Sequence, residues 1–379
     1  MAPHCRVTQL TRCPWSGLTA TGCQPRHRRL LSPLRCWIRC GCYIDETCPC
    51  LPRAPFHLQT CPVVCHIRSF SRQTEWGPSE WLNLRDDIPD NQLRSTITIP
   101  SDTGPIARAT CFVSGLGYQR SWLNGQPLTT NGELSEAEPE VLGPMAQFQR
   151  RVPYQTYDVT SQLSTGNNTL AVEVGRGWYA LPRDDFTAVL GWEQLGNRTL
   201  RVLCRITFAT GDTTVLGTGS PQWPWRVGAG ELVRDHLFLG PTIDKTKATP
   251  GWQQQSFDDS GWNLAQVASP GFAPIGEMHS FAIPLIRRHE PRSPVAIQQI
   301  NSTTFVLDFE VNQAMQCELR IETDGSQQPG EIVLHLLHDE QVGIDGEVVI
   351  SNDLGGVADQ TTFILDGSAG VQTFNTVFS

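Results

Sequence analysis

Ala107, Ala109, Cys111 and Val113 alternate with Arg108, Thr110, Phe112 and Ser114, the period-two pattern of a strand whose two faces meet different surroundings. Gly115 and Gly117 let the chain bend, Tyr118 to Leu123 resumes an extended run, and Asn124-Gly125 follows. That pair most readily supplies the two positive φ angles of a tight hairpin, so a return strand is predicted from Gln126. Tyr154, Thr156 and Asp158 alternate with Gln155, Tyr157 and Val159, and Thr160 is placed to cap a single helical turn ending at Leu163. After a turn at Gly166-Asn167-Asn168, Leu170, Val172 and Val174 point one way and Ala171, Glu173 and Gly175 the other.

The same alternation runs on either side. Ile97 and Ile99 alternate with Thr96 and Thr98 in the first clear strand. Leu200, Val202, Cys204, Ile206 and Phe208 form one face of a long strand, and Gly211-Asp212 turns it back into Thr213 to Leu216. Pro270 to Pro294 holds five prolines and reads as an interdomain connector. Beyond it, Met315, Cys317, Leu319 and Ile321 alternate with polar residues up to a turn at Asp324-Gly325, and Ile332, Leu334 and Leu336 give a further strand. No long amphipathic helical pattern interrupts this, and Gly 33 with Pro 27 fits a turn-rich chain, so the fold class is all-β. A length of 379 residues allows two or three domains. The 11 tryptophans suit sugar stacking, although in a sandwich most serve as core.

Charge and cysteine divide the chain. Residues 1–72 carry ten Arg against two acids, while the remainder carries 19 basic and 36 acidic residues. Lysine occurs only at Lys245 and Lys247, which leaves no polybasic groove for nucleic acid. Ten of the 13 cysteines lie at or before Cys65; Cys111, Cys204 and Cys317 sit in strand-like runs and are expected to be buried free thiols. A zinc site can be drawn from Cys36, Cys40, Cys42, Cys48, Cys50, Cys61, Cys65 and His66, but the spacings match no paired CxxC arrangement. The 1–72 extension therefore reads as a disordered Cys-, Arg- and Pro-rich segment, or as non-coding sequence carried into the reading frame, with no metal assigned. No apolar run of signal-peptide or transmembrane length occurs, so no membrane partner is expected and the default location is the cytoplasm. Sequons at Asn167, Asn197 and Asn301 would be glycosylated only in the secretory pathway.

The order of the pieces ARATCFVSGLGYQRSWLNGQPL, RRVPYQTYDVTSQL and NNTLAVEVGRGWY resembles the amino-terminal jelly-roll domain of α-L-rhamnosidases, the inverting glycoside hydrolase family 78. GWQQQSFDDSGWNLA resembles the segment that closes that domain, FVLDFEVNQAMQCELRI the start of the family's next β-domain, and LHDEQV a His-x-Glu element in it. The resemblance runs from Trp76 to the last residue. It implies a jelly-roll β-sandwich over residues 73–269, a connector over 270–294, and a second, truncated β-sandwich over 295–379. It also implies that the catalytic carboxylates belong to an (α/α)6 barrel that would follow Ser379.

No catalytic residue is therefore assigned. Inverting glycosidases need two carboxyl groups about 6.5–9.5 Å apart. The acid pairs Asp184 with Asp185, Asp258 with Asp259, Asp308 with Glu310, and Asp339 with Glu340 are neighbours in sequence, and in FDDSGW the aspartates are expected to bond turn amides. Glu133, Glu136, Glu138 and Glu140, in the loop Thr129 to Pro144, read as a solvated face.

Some members of the resembled family use this jelly roll to bind rhamnose with the help of calcium. In RGWYALPRDDF, Trp178 and Tyr179 supply rings, Arg183 a guanidinium, and Asp184 and Asp185 acids, which together make a candidate sugar-binding face. The competing reading packs both rings and leaves the acids solvated. Calcium needs about six or more oxygens, which the sequence does not place, so no cofactor is assigned. Three functions follow: a non-hydrolytic rhamnosidase-related fragment or accessory protein with weak binding of rhamnose-containing glycosides; an active α-L-rhamnosidase if a longer chain or a partner supplies the barrel; or a Cys-rich metal- or partner-binding module. The first is adopted. An uncovered face of the second β-domain is expected to promote self-association.

Overall fold

Strand-forming alternation becomes two sheet systems in the computed structural model, which describes residues 4–10, 76–84, 90–129, 146–182, 195–271, 273–281, 291–311, 317–338 and 360–375. In chain order the strands are β1 (His4–Leu10), β2 (Leu82–Asn83), β3 (Asp90–Ile99), β4 (Ile106–Leu116), β5 (Tyr118–Leu123), β6 (Gln126–Pro127), β7 (Arg151–Asp158), β8 (Gly166–Gly175), β9 (Thr199–Phe208), β10 (Thr213–Gly217) and β11 (Arg226–Ala229). They continue as β12 (Leu232–Arg234), β13 (Thr242–Asp244), β14 (Asn263–Leu264), β15 (Gln266–Val267), β16 (Glu277–Ser280), β17 (Ala296–Asn301), β18 (Thr304–Asp308), β19 (Glu318–Thr323), β20 (Val333–His338), β21 (Gln360–Ile364) and β22 (Gly370–Asn375).

The first system is a sandwich. One sheet has the order β14-β11-β3-β8-β5-β6 and the other β15-β2-β9-β4-β7-β16, with β10 paired to β9. The inward residues are those the alternation selects: Ile97 and Ile99 from β3, Leu170, Val172 and Val174 from β8, Ala109, Cys111 and Val113 from β4, and the Leu200-to-Phe208 face of β9. Trp223 and Trp225 close the same core. The opposite faces of both sheets are also covered. Phe112, Leu116 and Leu203 pack outward with Trp76, Tyr154, Phe148 and Met278, while Trp122 and Ala171 pack against Trp252. Strands buried on both sides explain why Phe112 and Ala171 interrupt a simple apolar/polar alternation. The predicted hairpin forms, with Asn124 at φ 52° and Gly125 at φ 78°, the left-handed pair of a type I′ turn.

Three details differ from the sequence reading. Cys111 and Cys204 are not thiols: they are register partners on the antiparallel pair β4 and β9, with Cα atoms 4.1 Å apart, and are joined by a disulfide. Cys317 is a half-buried thiol against the core of the second system. Strand partners 93 residues apart leave no local trace, which is why the bridge was not expected. In FDDSGW, Asp258 does accept the Ser260 N–H at 3.0 Å, but Asp259 accepts from the Arg94 guanidinium at 2.7 Å. The same guanidinium donates to the carbonyls of Phe257 and Gln254, so Arg94 fastens this segment to the outer face of β3. The turn after β7 does form, but there Asp158 accepts both the N–H and the hydroxyl of Thr160. Those bonds hold its carboxyl below the usual range.

The second system has the sheet order β12-β13-β21-β20-β1-β18-β17, with β19 and β22 as a separate pair. Its core contains Ile243, Leu334, Leu336, Phe363 and Phe374. The strands do not follow the expected linear boundaries. The hairpin β12–β13, inside 73–269, pairs through β13 with β21, and β16, inside the expected connector, pairs parallel with β7. Within 1–72, His4–Leu10 runs parallel between β18 and β20. The rest of that extension, the acidic loop from residue 130 onward, and Asp339 with Glu340 lie outside the described residues.

Candidate functional site

The candidate face begins where β8 ends. Gly175 closes the strand, Gly177 takes φ 46°, and Ala180 donates to the Arg176 carbonyl at 3.0 Å, making one tight turn that carries Trp178 and Tyr179. A side chain at Gly117 would collide with the Arg176 carbonyl, so glycine there is what lets the β4–β5 bend lie against this turn.

The two rings go different ways. Tyr179 is enclosed in the outer cluster, 5.1 Å edge-on to Phe148, and burial pushes its phenol up to about 12. Trp178 is half-buried, packs against the same cluster, and meets Phe238 edge-on at 5.6 Å. Arg183, Asp184 and Asp185 lie outside the described residues. Of the predicted face, the described residues therefore show Trp178 as the partly open ring and Tyr179 as its packed support.

Against the Arg176 end of this turn stands a polar group that no sequence motif announced. Asp235 is buried and accepts the Arg176 backbone N–H. Burial raises its carboxyl above the usual range, opposed by that hydrogen bond and by the charges of Arg198 and Arg176. Tyr118 is pushed up to about 12 by burial and by the nearby Asp235. His236 accepts from the N–H groups of Phe238 and Leu239 at 3.2 and 3.1 Å through Nδ1, which leaves a neutral ring's proton on Nε2. Glu173 is engaged by Arg120 and by Asn91. The only hint in LVRDHLFLG is three polar residues, Arg234, Asp235 and His236, inside an apolar run, a weak signal without knowledge of the packing.

The remaining described acid pairs serve their own turns and ion pairs. Asp308 accepts the Glu310 N–H at 2.7 Å, while Asp258 and Asp259 are held as above. Among the described residues, no three His, Cys, Asp or Glu side chains gather to hold a metal ion.

Residues 104–290 match the family model described as the alpha-L-rhamnosidase N-terminal domain. They are an α-L-rhamnosidase N-terminal domain. The chain is similar to an alpha-L-rhamnosidase of Streptomyces avermitilis, 28% identical over 307 residues that make up 80% of this chain and 27% of that protein. The rhamnosidase-type fold also matches the alpha-L-rhamnosidase structure from Dictyoglumus thermophilum, at TM-score 0.66 and 21% identity, covering 81% of this chain and 33% of the other. It matches the Streptomyces avermitilis alpha-L-rhamnosidase complexed with L-rhamnose at TM-score 0.62 and 26% identity, covering 77% of this chain and 26% of that one. This rhamnosidase-related chain thus spans about a quarter to a third of the length of these relatives.

Proposed function

We propose that these β-domains are the non-hydrolytic part of an α-L-rhamnosidase-related protein and contact a rhamnose-containing glycoside at the end of β8. Trp178 is the ring offered to the sugar, and Arg183, Asp184 and Asp185, which follow it closely in sequence, are the candidate polar groups. The observation that carries the non-hydrolytic reading is the state of five described acids. Asp259, Glu173 and Asp235 are each engaged by a guanidinium or a backbone N–H, and Asp258 and Asp308 by turn amides, which supports a structural role for these five. A partly open indole beside an enclosed tyrosine supports sugar stacking, because a flat ring on a rigid support meets a pyranose face at little entropic cost.

Two assays on the purified chain test this. Hydrolysis of p-nitrophenyl α-L-rhamnopyranoside is expected to stay at the buffer rate, and turnover that survives repurification would overturn the non-hydrolytic reading. L-rhamnose titrated calorimetrically, with and without EDTA, is expected to bind weakly and to lose about 10-fold or more in affinity in Trp178→Ala, a loss on the scale of 1.4 kcal/mol. Equal titration of the two proteins would remove the ligand face from consideration.

A second reading rests on coverage. The relatives named above are alpha-L-rhamnosidases of which this chain matches 27% and 33%, so within a longer polypeptide or beside a partner these domains would frame a separate hydrolytic domain acting on terminal α-L-rhamnose. Activity that appears only in the longer protein supports it.

A further inference from the structure

The disulfide between Cys111 and Cys204 lies in the main core of the sandwich, and both residues are fully buried. Structural disulfides form and persist in oxidising compartments such as the secretory pathway and are rare in a reducing cytosol. A chain that closes its core in this way is suited to the compartment in which Asn-x-Ser/Thr sequons are modified. Three such sequons begin at Asn167, Asn197 and Asn301. The fold gives them different surroundings.

Asn301 ends β17, and Ser302 and Thr303 turn the chain into β18. The residue is exposed, and its Oδ1 accepts the Thr303 N–H at 2.9 Å and the Thr303 hydroxyl at 3.1 Å. Both bonds engage the oxygen of the side-chain amide, so Nδ2, the atom that joins a glycan, takes no part in the turn. Because β17 is the last strand of its sheet, no described strand pairs beyond this hairpin. A bulky, hydrated chain can stand there in solvent without displacing a packed element. Asn167 is also exposed, but it lies in the β3–β8 ladder opposite Thr98, whose hydroxyl it accepts at 2.9 Å, and Gln255 donates to its carbonyl at 2.8 Å. Asn197 is half-buried and leads directly into Arg198 and Thr199, which are 4% and 0% exposed, with Thr199 paired to both β2 and β4.

We infer that Asn301 is a modification site that carries an N-linked glycan, and that the chain folds in an oxidising secretory compartment. The co-reactant is an oligosaccharide carried on a polyprenyl diphosphate. Nδ2 of Asn301 attacks the anomeric carbon of its first sugar. The C–O bond to the diphosphate breaks as the C–N bond forms, the diphosphate leaves with the bonding electron pair, and one amide proton passes to a base of the transferase. Thr303 supplies the hydroxyl that the sequon requires. Asn197, whose sequon is sealed into the sheet, is the internal comparison.

The test uses the protein purified from its native host, treated in ¹⁸O-labelled water with or without peptide-N-glycosidase and mapped by mass spectrometry. The glycosidase converts a glycosylated asparagine to labelled aspartate, so the peptide containing Asn301 is expected to carry the label only in the treated sample, and the peptide containing Asn197 to carry less. A parallel unreduced digest should recover the Cys111 and Cys204 peptides linked. In the same host, Thr303→Ala should abolish the label at Asn301, whereas Thr303→Ser, which keeps the hydroxyl, should retain it. Rescue by serine separates loss of the acceptor from loss of the turn. The inference is overturned if the Asn301 peptide is recovered unlabelled, if label appears there equally without the glycosidase, if Thr303→Ala is labelled like the parent chain, or if the native protein yields Cys111 and Cys204 as free thiols.

Discussion

Replacing both Cys111 and Cys204 by alanine removes the one covalent link between β4 and β9, central strands of the sandwich. Both side chains are fully buried and the residues are separated by 93 positions, so the bridge closes a long loop. The loop-closure relation for a cross-link of that length gives about 4.6 kcal/mol of stabilisation through the unfolded chain, and measured bridges cluster at about 2–4 kcal/mol. A loss of about 3–4 kcal/mol is therefore expected, or roughly 6–16 °C in Tm for a unit of this size. The assay is guanidinium and thermal unfolding in non-reducing buffer, beside a peptide map made without reductant. Cys111→Ala alone should cost about as much as the double change, because either substitution opens the same loop. Parent and double variant unfolding at one midpoint would refute the reasoning, as would recovery of the Cys111 and Cys204 peptides separately alkylated after unreduced denaturation.

Asp235→Asn keeps an acceptor for the Arg176 N–H and removes a carboxyl whose folded-state pKa burial raises above the ordinary 3.8. The stabilising contribution of such a group is complete below its unfolded pKa and is lost as pH rises through the folded one. The variant should accordingly melt higher than the parent near pH 7, with the difference closing toward pH 4; a parent Tm that is flat over that window would refute the assignment. On the second sheet, β17 lies at the end of the strand order and exposes Ile297 at 64%, with Val295 just before it exposed at 62%. Unpaired edges with apolar side chains promote association, so light scattering of the parent chain should show mass growing with concentration and Ile297→Lys should suppress it. Monodisperse monomer at high concentration would contradict this.

Much of the fold could be read from residues within a few positions of one another. The alternation in Leu200 to Phe208 placed five side chains in one core, and all five are there. Asn124-Gly125 specified its hairpin because only a few residue types tolerate two left-handed φ angles. Leu170, Val172 and Val174 face the interior while Ala171 and Glu173 lie on the other side of β8, as their spacing requires. In the candidate site, the sequence singled out Trp178 and Tyr179 as rings but could not rank them. Tyr179 is enclosed because Phe148, 31 positions earlier, folds onto it.

The sequence by itself thus determined where the long strands of the sandwich run, where they turn, and which of their residues face together, because those properties repeat with a period of two and depend on neighbours a few bonds away. Only the tertiary structure decided which strands lie side by side. That pairing joins Cys111 to Cys204, sets Arg94 on Asp259, carries the β12–β13 hairpin into the second sheet, and buries Asp235 against Arg176. Each contact links residues far apart in the chain, and its energy appears only when burial of the whole core has brought them within a few ångströms. No local pattern encodes it.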